Sequence, residues 1–417
     1  MKKILIVGAG TIGLHIAYYL RQNNYEVEVL EAAEKEDLSG CSYVNCGYTV
    51  PSHFITIASP SMLQTGLKMT LVNNGPVSFN LVKNLGHIGW FLRFSKAAIN
   101  RAKVNDAIPL LYQLNYQSDK LYQELKHDHH WDNEYCSKGL LMVASTQKAL
   151  HEEIELALLA NNLGIKTKSM DAQALSESEG NIRFNATGGI LYYSDAMLNP
   201  GMHMRALRDW LTKNGVVFNY GSRVSEILQK NGTVNAVKCG LHTFKADEFV
   251  LATGAGTSYL GKLLNMNLPV MPGKGYSIDF GKEVLPLNTP MILTNEKIAI
   301  SPFADMVRIG SGMEFNGQLN RYDYKRIQGI LDATKTVIPS FPYYRAHKLK
   351  LQQGLRPLTP DGIPIIGRTQ KYGNLTVAAG HAMMGMSLAP ITGQIVTEQI
   401  AGMKPSFNMD MLSPDRY

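Results

Sequence analysis

KILIVGAGTIGLHIAYYLRQNNYEVEVLE, residues 3–31, has the pattern of a complete βαβ unit. An apolar strand ends at Val7, a Gly-x-Gly-x-x-Gly motif occupies 8–13, and an amphipathic helix leads into a second strand that ends at Glu31. A glycine motif that directly follows a strand and opens a helix, with an acidic residue at this distance, is typical of a dinucleotide site. The N-terminus of the chain is therefore predicted to hold one end of a dinucleotide.

The glycines of this motif have separate roles. Gly8 permits the tight turn out of the strand, Gly10 lets the backbone approach a pyrophosphate, and Gly13 lets the helix pack closely on the strand. The helix then directs its first N–H groups, near Thr11 and Ile12, and the positive end of its dipole at the phosphates.

An acidic residue closes the unit at Glu31, followed by Ala32. A carboxylate in this position accepts hydrogen bonds from ribose hydroxyls and disfavours a 2′-phosphate. The predicted ligand is therefore a dinucleotide with an unmodified adenosine ribose, and not NADP.

The composition is that of an ordinary globular protein, with 417 residues, 45% of them hydrophobic. Four scattered cysteines are too few for a disulfide framework and lack the spacing of a zinc site, so we expect a reducing compartment, the cytoplasm, and no metal centre. Glycines in the first strand do not fit a signal peptide, and no apolar run is long enough to span a bilayer.

The chain is basic, with a formal net charge of +7. Because the positive residues are dispersed and lack interleaved aromatic residues, binding to nucleic acid is not expected. The segment Phe54–Val72 carries a single charge, Lys68, and basic residues follow it. This segment has two interpretations, burial beneath a cap or peripheral contact with the inner face of the cytoplasmic membrane.

Beyond the first unit, the pattern predicts an α/β fold with two parts. Helical periodicity is expected over 77–98 and 106–126, and Asn231-Gly232 indicates a hairpin turn. From Val270 the pattern changes to alternating strands typical of an antiparallel sheet, and residues 375–400 repeat the order strand, glycine turn, helix.

Glycine turns at 8–13, 254–256 and 380–385 are spread over the whole chain. One extended ligand held by segments from both ends fits this spacing, and FAD fits it better than NAD. A helix N-terminus after Gly385 would also stabilise negative charge on a reduced flavin ring.

Several stretches together resemble the FAD-dependent amine oxidoreductases related to D-amino-acid oxidase and glycine oxidase, and most of all the bacterial D-amino-acid dehydrogenases. Beside the N-terminal motif, the resemblance rests on five further stretches: Ser42-x-x-Asn45-x-Gly47, Val250-Leu-Ala-Thr-Gly254, Lys274-Gly-Tyr-Ser277, Gly354-Leu-Arg-Pro-x-Thr-Pro-Asp-Gly362 and Gly380-His-x-x-x-Gly385. The resemblance implies a Rossmann-like FAD domain of discontinuous segments, 1–52, 145–255 and 346–417, capped by a substrate domain with a mixed or antiparallel sheet, 53–144 and 256–345.

The resemblance also implies a site for an amino acid. Arg356 matches the arginine that grips the substrate carboxylate, which a guanidinium fork can pair with both oxygens. Tyr276 would add a hydrogen bond to that carboxylate or would be a core tyrosine, Tyr48 would reshape the pocket if it faced the flavin, and His53 would lie at the pocket mouth or serve the structure.

The cofactor is expected to be non-covalent FAD. The residues expected to contact it are Gly8, Gly10, Thr11, Ile12, Gly13, Glu31, Ala32, Cys41, Ser42, Asn45, Gly47, Val224, Thr253, Gly254, Gly380, His381, Met384, Gly385 and Met386. Among these, His381 is expected to shape the turn rather than to act as an acid or base.

The implied reaction is oxidation of D-amino or cyclic D-imino acids to imines by hydride transfer from the alpha carbon to flavin N5, with electrons passed to a quinone or another acceptor. Two alternatives stay open: an oxygen-using oxidase of glycine, sarcosine or D-amino acids, and a hydroxyproline-type dehydrogenase subunit of a hetero-oligomer. The same residues are compatible with a single chain or an oligomer.

Overall fold

A computed structural model describes residues 1–37, 39–61, 63–64, 77–79, 82–315 and 321–417. Part of the segment Phe54–Val72, namely residues 62 and 65–72, lies outside this range, as do residues 80–81 of the helix predicted over 77–98. Within the described residues, no helix combines the length and the apolar character needed to cross a membrane.

The described α-helices, in chain order, are α1 Thr11–Gln22, α2 Ile88–Ile99, α3 Arg101–His129, α4 Gln147–Asn162, α5 Ala172–Ser178, α6 Pro200–Lys213, α7 Thr257–Leu263, α8 Tyr324–Val337 and α9 Ala389–Ile400. The described strands are β1 Lys3–Val7, β2 Glu26–Leu30, β3 Tyr48–Thr49, β4 Val77–Phe79, β5 Leu140–Ala144, β6 Thr167–Asp171, β7 Gly188–Tyr192, β8 Ala196–Met197, β9 Val217–Asn219, β10 Glu226–Lys230, β11 Thr233–Cys239, β12 His242–Phe244, β13 Glu248–Leu251, β14 Met271–Gly281, β15 Met291–Leu293, β16 Ile298–Pro302, β17 Met306–Phe315, β18 Leu351–Leu358, β19 Ile365–Arg368 and β20 Leu375–Ala379.

Strands from both ends of the chain form one six-stranded sheet in the order β19-β20-β13-β1-β2-β9. All its neighbours pair in parallel except the edge strand β19. Ile4, Leu5 and Ile6 of β1 are fully buried because a parallel sheet is covered on both faces. Helices α1 and α9 pack together on one face, where the ideal Cβ position of Gly393 lies only 2.7 Å from the His15 carbonyl oxygen.

A larger mixed sheet of nine strands has the order β18-β14-β17-β16-β15-β5-β7-β6, with β4 added along β17. Its centre is antiparallel, while β15–β5 and β17–β4 pair in parallel. Helix α8 buries Ile327, Ile330 and Leu331 in the cluster on one face of this sheet. The α/β fold with a second, largely antiparallel sheet is confirmed.

Sheet membership does not follow the predicted domain boundaries at two places. Strands β6 and β7 were assigned to the FAD domain with the rest of 145–255, yet they complete the nine-stranded sheet. Strand β18, within 346–417, pairs along β14 in that same sheet. The pairings that bring these strands into the sheet, β5 with β7 and β14 with β18, join residues about 40 or more positions apart. Local periodicity carries no signal for such partners. The division into two domains stays a prediction.

The helix predicted over 77–98 is shorter in the structure. Residues 77–79 form a strand along β17, residues 82–87 form a 3-10 turn, and α2 begins at Ile88. Asn84 and Gly86 are weak helix formers, and pairing with β17 favours an extended backbone before them. The hairpin at Asn231-Gly232 is confirmed, with positive φ at both residues, 53° and 71°.

Candidate flavin and substrate site

The glycine motif forms a turn that excludes side chains. Gly8 has a φ of 109°, and a Cβ there would lie 2.5 Å from the Ala252 carbonyl oxygen. A Cβ on Gly13 would lie 1.9 Å from the Gly8 carbonyl oxygen. Gly10 is the N-cap of α1 and contributes no side-chain cap to the helix. The turn therefore fits a pyrophosphate held by backbone N–H groups.

Glu31 lies beside this turn at the end of β2. Its two carboxylate oxygens accept hydrogen bonds from the backbone N–H groups of Ala9, at 2.7 Å, and of Ala33, at 3.0 Å. Both contacts hold the side chain across the mouth of the glycine turn, where the adenosine ribose of FAD is expected. Ala32 connects Glu31 to Ala33 in the same bend.

Two distant segments meet the N-terminus of α1. The Thr11 N–H donates to Ser42 Oγ at 3.1 Å, and the Thr11 hydroxyl donates to Met386 Sδ at 3.6 Å. Strand β13 pairs with β1 in parallel, so Thr253 and Gly254 follow next to Gly8. The three predicted glycine turns are thus brought to one edge of the six-stranded sheet, which fits one extended FAD.

Arg356 lies on β18 above a group of glycines in three neighbouring strands of the nine-stranded sheet. We call this group the glycine floor; its members are Gly273, Gly275, Gly310, Gly312 and Gly354. A Cβ on Gly275 would lie 1.8 Å from Arg356 Nη1, so the guanidinium can cross β14 only because this residue is glycine. Arg356 Nη1 donates to the Gly312 carbonyl oxygen on β17, at 2.5 Å. The half-buried guanidinium is thereby oriented, as a carboxylate grip requires.

The segment that follows the βαβ unit packs on the same floor. Ideal Cβ positions lie 2.5 Å from Cys46 Sγ at Gly310 and 3.2 Å from Cys41 Sγ at Gly354. Burial raises the pKa of the Cys41 thiol, and the charge of Arg356 opposes that rise. The Arg356 charge therefore acts on the loop that was predicted to contact FAD.

Sequence reasoning missed the floor itself. Glycines occur two apart in each of two strands, Gly273-x-Gly275 and Gly310-x-Gly312, and Gly354 lies opposite Gly275 in β18. Because side chains in a strand alternate between faces, glycine at every second position leaves one face of the sheet without side chains there. That spacing was available as a signal for a close ligand or side-chain approach.

Substituting Gly275 tests whether the floor sets the position of Arg356. In Gly275→Ala the added methyl must displace the guanidinium, and a misplacement of about 1 Å can cost about a hundredfold in catalysis. We expect kcat/KM to fall by roughly ten- to a hundredfold with the FAD content unchanged. Gly373→Ala is the control, because a Cβ there meets no atom within 4 Å. Equal kcat/KM in the two variants would contradict this role of Gly275.

The structure does not bring Tyr276 to Arg356. Alternation along β14 places Gly275 and Tyr276 on opposite faces, and Tyr276 is buried in the cluster beneath α8. Its hydroxyl accepts a hydrogen bond from the Asp323 N–H at 3.1 Å. The predicted hydrogen bond to a carboxylate held by Arg356 therefore has no support in this geometry, which fits the core interpretation of Tyr276.

Tyr48 lies beside the floor, but its hydroxyl is directed into the sheet. The hydroxyl oxygen is 3.0 Å from the Met291 carbonyl oxygen and 2.9 Å from that of Ile300. Burial raises the pKa of the phenol. The hydroxyl is thus held by strands β15 and β16, and only the ring of Tyr48 is left as a candidate wall of the pocket.

His53 belongs to a polar chain that leads to the buried Asp195. Its Nδ1 is 3.1 Å from Ser52 Oγ, and Ser52 Oγ donates to Asp195 at 2.5 Å. Burial, with a smaller contribution from Lys297, lowers the pKa of His53 to about 4, and burial raises that of Asp195 to about 7. His53 is therefore neutral at pH 7. Its predicted place at the pocket mouth stays a prediction.

His381 is fixed within the C-terminal turn. The Thr392 hydroxyl donates to the Leu388 carbonyl oxygen at 2.7 Å, so its oxygen accepts from His381 Nε2, at 3.0 Å. Burial lowers the pKa of His381 to about 3. The ring is neutral and its Nε2 N–H is already donated to Thr392, which supports the expectation that His381 shapes the turn. The Ala382 N–H donates to the Pro357 carbonyl oxygen at 2.8 Å, which places the turn next to Arg356.

The other predicted cofactor residues shape the same edge. Asn45 Oδ1 accepts from the Gly47 N–H at 2.6 Å, and Gly47, with a φ of 77°, lies against the Leu198 carbonyl oxygen. Val224 is buried in the cluster beneath β1 and β13. The remaining ones belong to the three turns already described: Ile12, Gly380, Met384 and Gly385. Contact of each with FAD stays a prediction.

A family model described as FAD dependent oxidoreductase matches residues 3–399. Among curated proteins, a D-amino acid dehydrogenase of Helicobacter pylori is 28% identical over 397 residues, covering 95% of this chain and 94% of the relative. A D-amino acid dehydrogenase of Allorhizobium ampelinum is 29% identical and covers 100% of this chain and 98% of the relative.

Solved structures share the fold over the whole chain. Glycine oxidase from Geobacillus kaustophilus superposes with a TM-score of 0.79 at 20% identity, covering 100% of both chains. An L-proline dehydrogenase from P. horikoshii gives 0.74 at 17% identity, covering 100% of this chain and 97% of the other. At these identities the likeness shows the fold alone.

Proposed function

The chain belongs to the FAD dependent oxidoreductase family, whose model spans residues 3–399, and on this basis we propose that it oxidises D-amino or cyclic D-imino acids. The single observation that carries the proposal is Arg356, held over a glycine floor beside the turns expected to hold FAD. The D-amino acid dehydrogenases that align along the whole chain support the choice of substrate class.

Bound FAD would supply the acceptor for a hydride, that is, for two electrons and one proton. The chain's own residues bind and orient the substrate: the Arg356 fork pairs with the alpha-carboxylate and so fixes the position of the alpha carbon. An uncharged amine is the reactive form, and a desolvated pocket lowers an amine pKa. Loss of the alpha hydrogen as a hydride leaves an iminium ion, that is, the protonated imine. Water hydrolyses this ion to a 2-oxo acid, and a primary amino group is released as ammonia.

For the electron acceptor we propose a quinone rather than oxygen. The relatives named dehydrogenases favour this choice, whereas the fold shared with glycine oxidase is compatible with an oxidase. The experiment measures peroxide per 2-oxo acid formed by the holoenzyme on a panel of D-amino acids and D-proline, with and without a water-soluble quinone. We expect turnover to need the quinone and to release little peroxide. Stoichiometric peroxide without quinone would show that the enzyme is an oxidase and not a dehydrogenase.

A further inference from the structure

Helix α2 packs beside the candidate site through its inner face. Its Trp90 is 8% exposed and packs with Met271, Leu358 and Ala382 in one apolar cluster. The indole N–H donates to the Pro269 carbonyl oxygen at 2.9 Å. Leu358 is two residues beyond Arg356, and Ala382 lies in the turn that adjoins it. The inner face of α2 therefore covers the end of the sheet that carries the site.

The outer face of α2 exposes large apolar side chains. Ile88 is 41% exposed, and Leu92 and Ile99 are each 66% exposed. At 100° per residue these three positions fall within about 40° of one another around the helix axis. They form one stripe along the helix, which we call the α2 stripe. An apolar stripe over a covered site marks a contact surface rather than scattered exposure.

The stretch of sequence that carries this stripe has charges of a single sign. No Asp or Glu occurs between Asp37 and Asp106, although the chain has 34 acidic residues. The basic residues of that stretch are Lys68, Lys83, Arg93, Lys96, Arg101 and Lys103, the last four being exposed on α2 and at the start of α3. Apolar residues flanked by exposed cations are complementary to anionic phospholipid at a bilayer surface.

We propose that the α2 stripe docks the enzyme on an anionic phospholipid bilayer. The apolar side chains would insert at the level of the headgroups while Arg93 and Lys96 contact phosphate groups. The covered site would then lie directly beneath the docked surface, within reach of an apolar electron acceptor dissolved in the membrane. This consequence rests on the proposed function, whereas the docking itself does not.

The test is flotation of the holoenzyme with vesicles of phosphatidylglycerol and phosphatidylethanolamine, compared with vesicles of phosphatidylcholine alone. We expect Leu92→Glu to lower the bound fraction on the anionic vesicles by roughly tenfold, because a carboxylate enters an apolar, negatively charged surface. Leu158→Glu on α4 is the matched control, since Leu158 is 61% exposed. Lys96→Glu should weaken binding to anionic vesicles as well.

Equal flotation of Leu92→Glu and Leu158→Glu, or equal binding to both vesicle types, would overturn the proposal. So would a native mass of two chains that Leu92→Glu reduces to one, because the stripe would then be an interface between copies. Turnover with a water-soluble acceptor should be the same in both variants, which shows that they fold. If no D-amino acid supports turnover but flotation behaves as expected, the proposed function fails and the docking surface stands.

Discussion

Arg356→Ala is expected to lower kcat/KM for the amino or imino acid by about 30-fold to several thousand-fold, since losing one partner of a buried charge pair costs about 2–5 kcal/mol. The cause is the loss of a guanidinium that the Gly275 floor and the Gly312 carbonyl oxygen hold in place. FAD content should stay at the wild-type level, because Arg356 is expected to grip substrate and not the dinucleotide. Steady-state kinetics with an artificial acceptor and the flavin absorbance of the purified protein measure both quantities.

Two companion variants separate charge from geometry. Arg356→Lys keeps the positive charge but loses the fork, so its kcat/KM should lie between those of the wild type and the alanine variant. Arg345→Ala, at an exposed arginine away from the floor, should leave the kinetics unchanged. An unchanged Michaelis constant and rate in Arg356→Ala would remove this residue from the substrate site.

Gly13→Ala is expected to destabilise the native fold of the first unit and to lower its FAD content. The new Cβ would lie 1.9 Å from the Gly8 carbonyl oxygen, a backbone atom that a side-chain rotation cannot move. Overpacking of this kind costs about 1–3 kcal/mol or more, against a total stability of about 5–15 kcal/mol for a typical domain. Thermal unfolding of the purified protein and its flavin-to-protein ratio are the measurements, and a large drop is expected in both.

Gly10→Ala distinguishes an effect on FAD binding from an effect on the stability of the fold. A Cβ at this position meets only Ser42 Oγ, at 3.4 Å, so the apoprotein should unfold at nearly the wild-type temperature. FAD affinity should fall by roughly ten- to a hundredfold, because the backbone can no longer approach the pyrophosphate. Wild-type FAD affinity in Gly10→Ala would show that the pyrophosphate does not lie at this turn.

The elements with strong local signals were predicted from the sequence. The βαβ unit of residues 3–31 and the hairpin at Asn231-Gly232 carry their turn residues in the sequence itself, and both are present. The placement of β6 and β7 in the nine-stranded sheet was not predicted, because β7 joins this sheet through β5, about 50 residues earlier in the chain, and such a partner leaves no periodic signal.

The candidate site was predicted in part. Arg356 could be selected because its stretch resembles that of a family. The role of Gly275 in holding it in place becomes visible only when strands β14, β17 and β18 lie side by side. Tyr276 was left with two interpretations, a hydrogen bond to the substrate carboxylate or a place in the core. Alternation from Gly275 sends its side chain to the other face and so favours the core. The hydrogen bond from Ser52 to Asp195 was not predicted, since the two residues are 143 positions apart in the sequence.

The substrate class and the role of Arg356 are tested together by anaerobic titration of the holoenzyme with D- and L-enantiomers of amino acids and of proline, and with matching amines that lack the carboxylate. The visible absorbance of the flavin is the measurement. We expect bleaching by at least one D-enantiomer and by none of the matching L-enantiomers, and Arg356→Ala should need a far higher concentration of that D-enantiomer for the same bleaching. Equal bleaching by an amine that lacks the carboxylate, or no bleaching by any member of the panel, would contradict the proposed function.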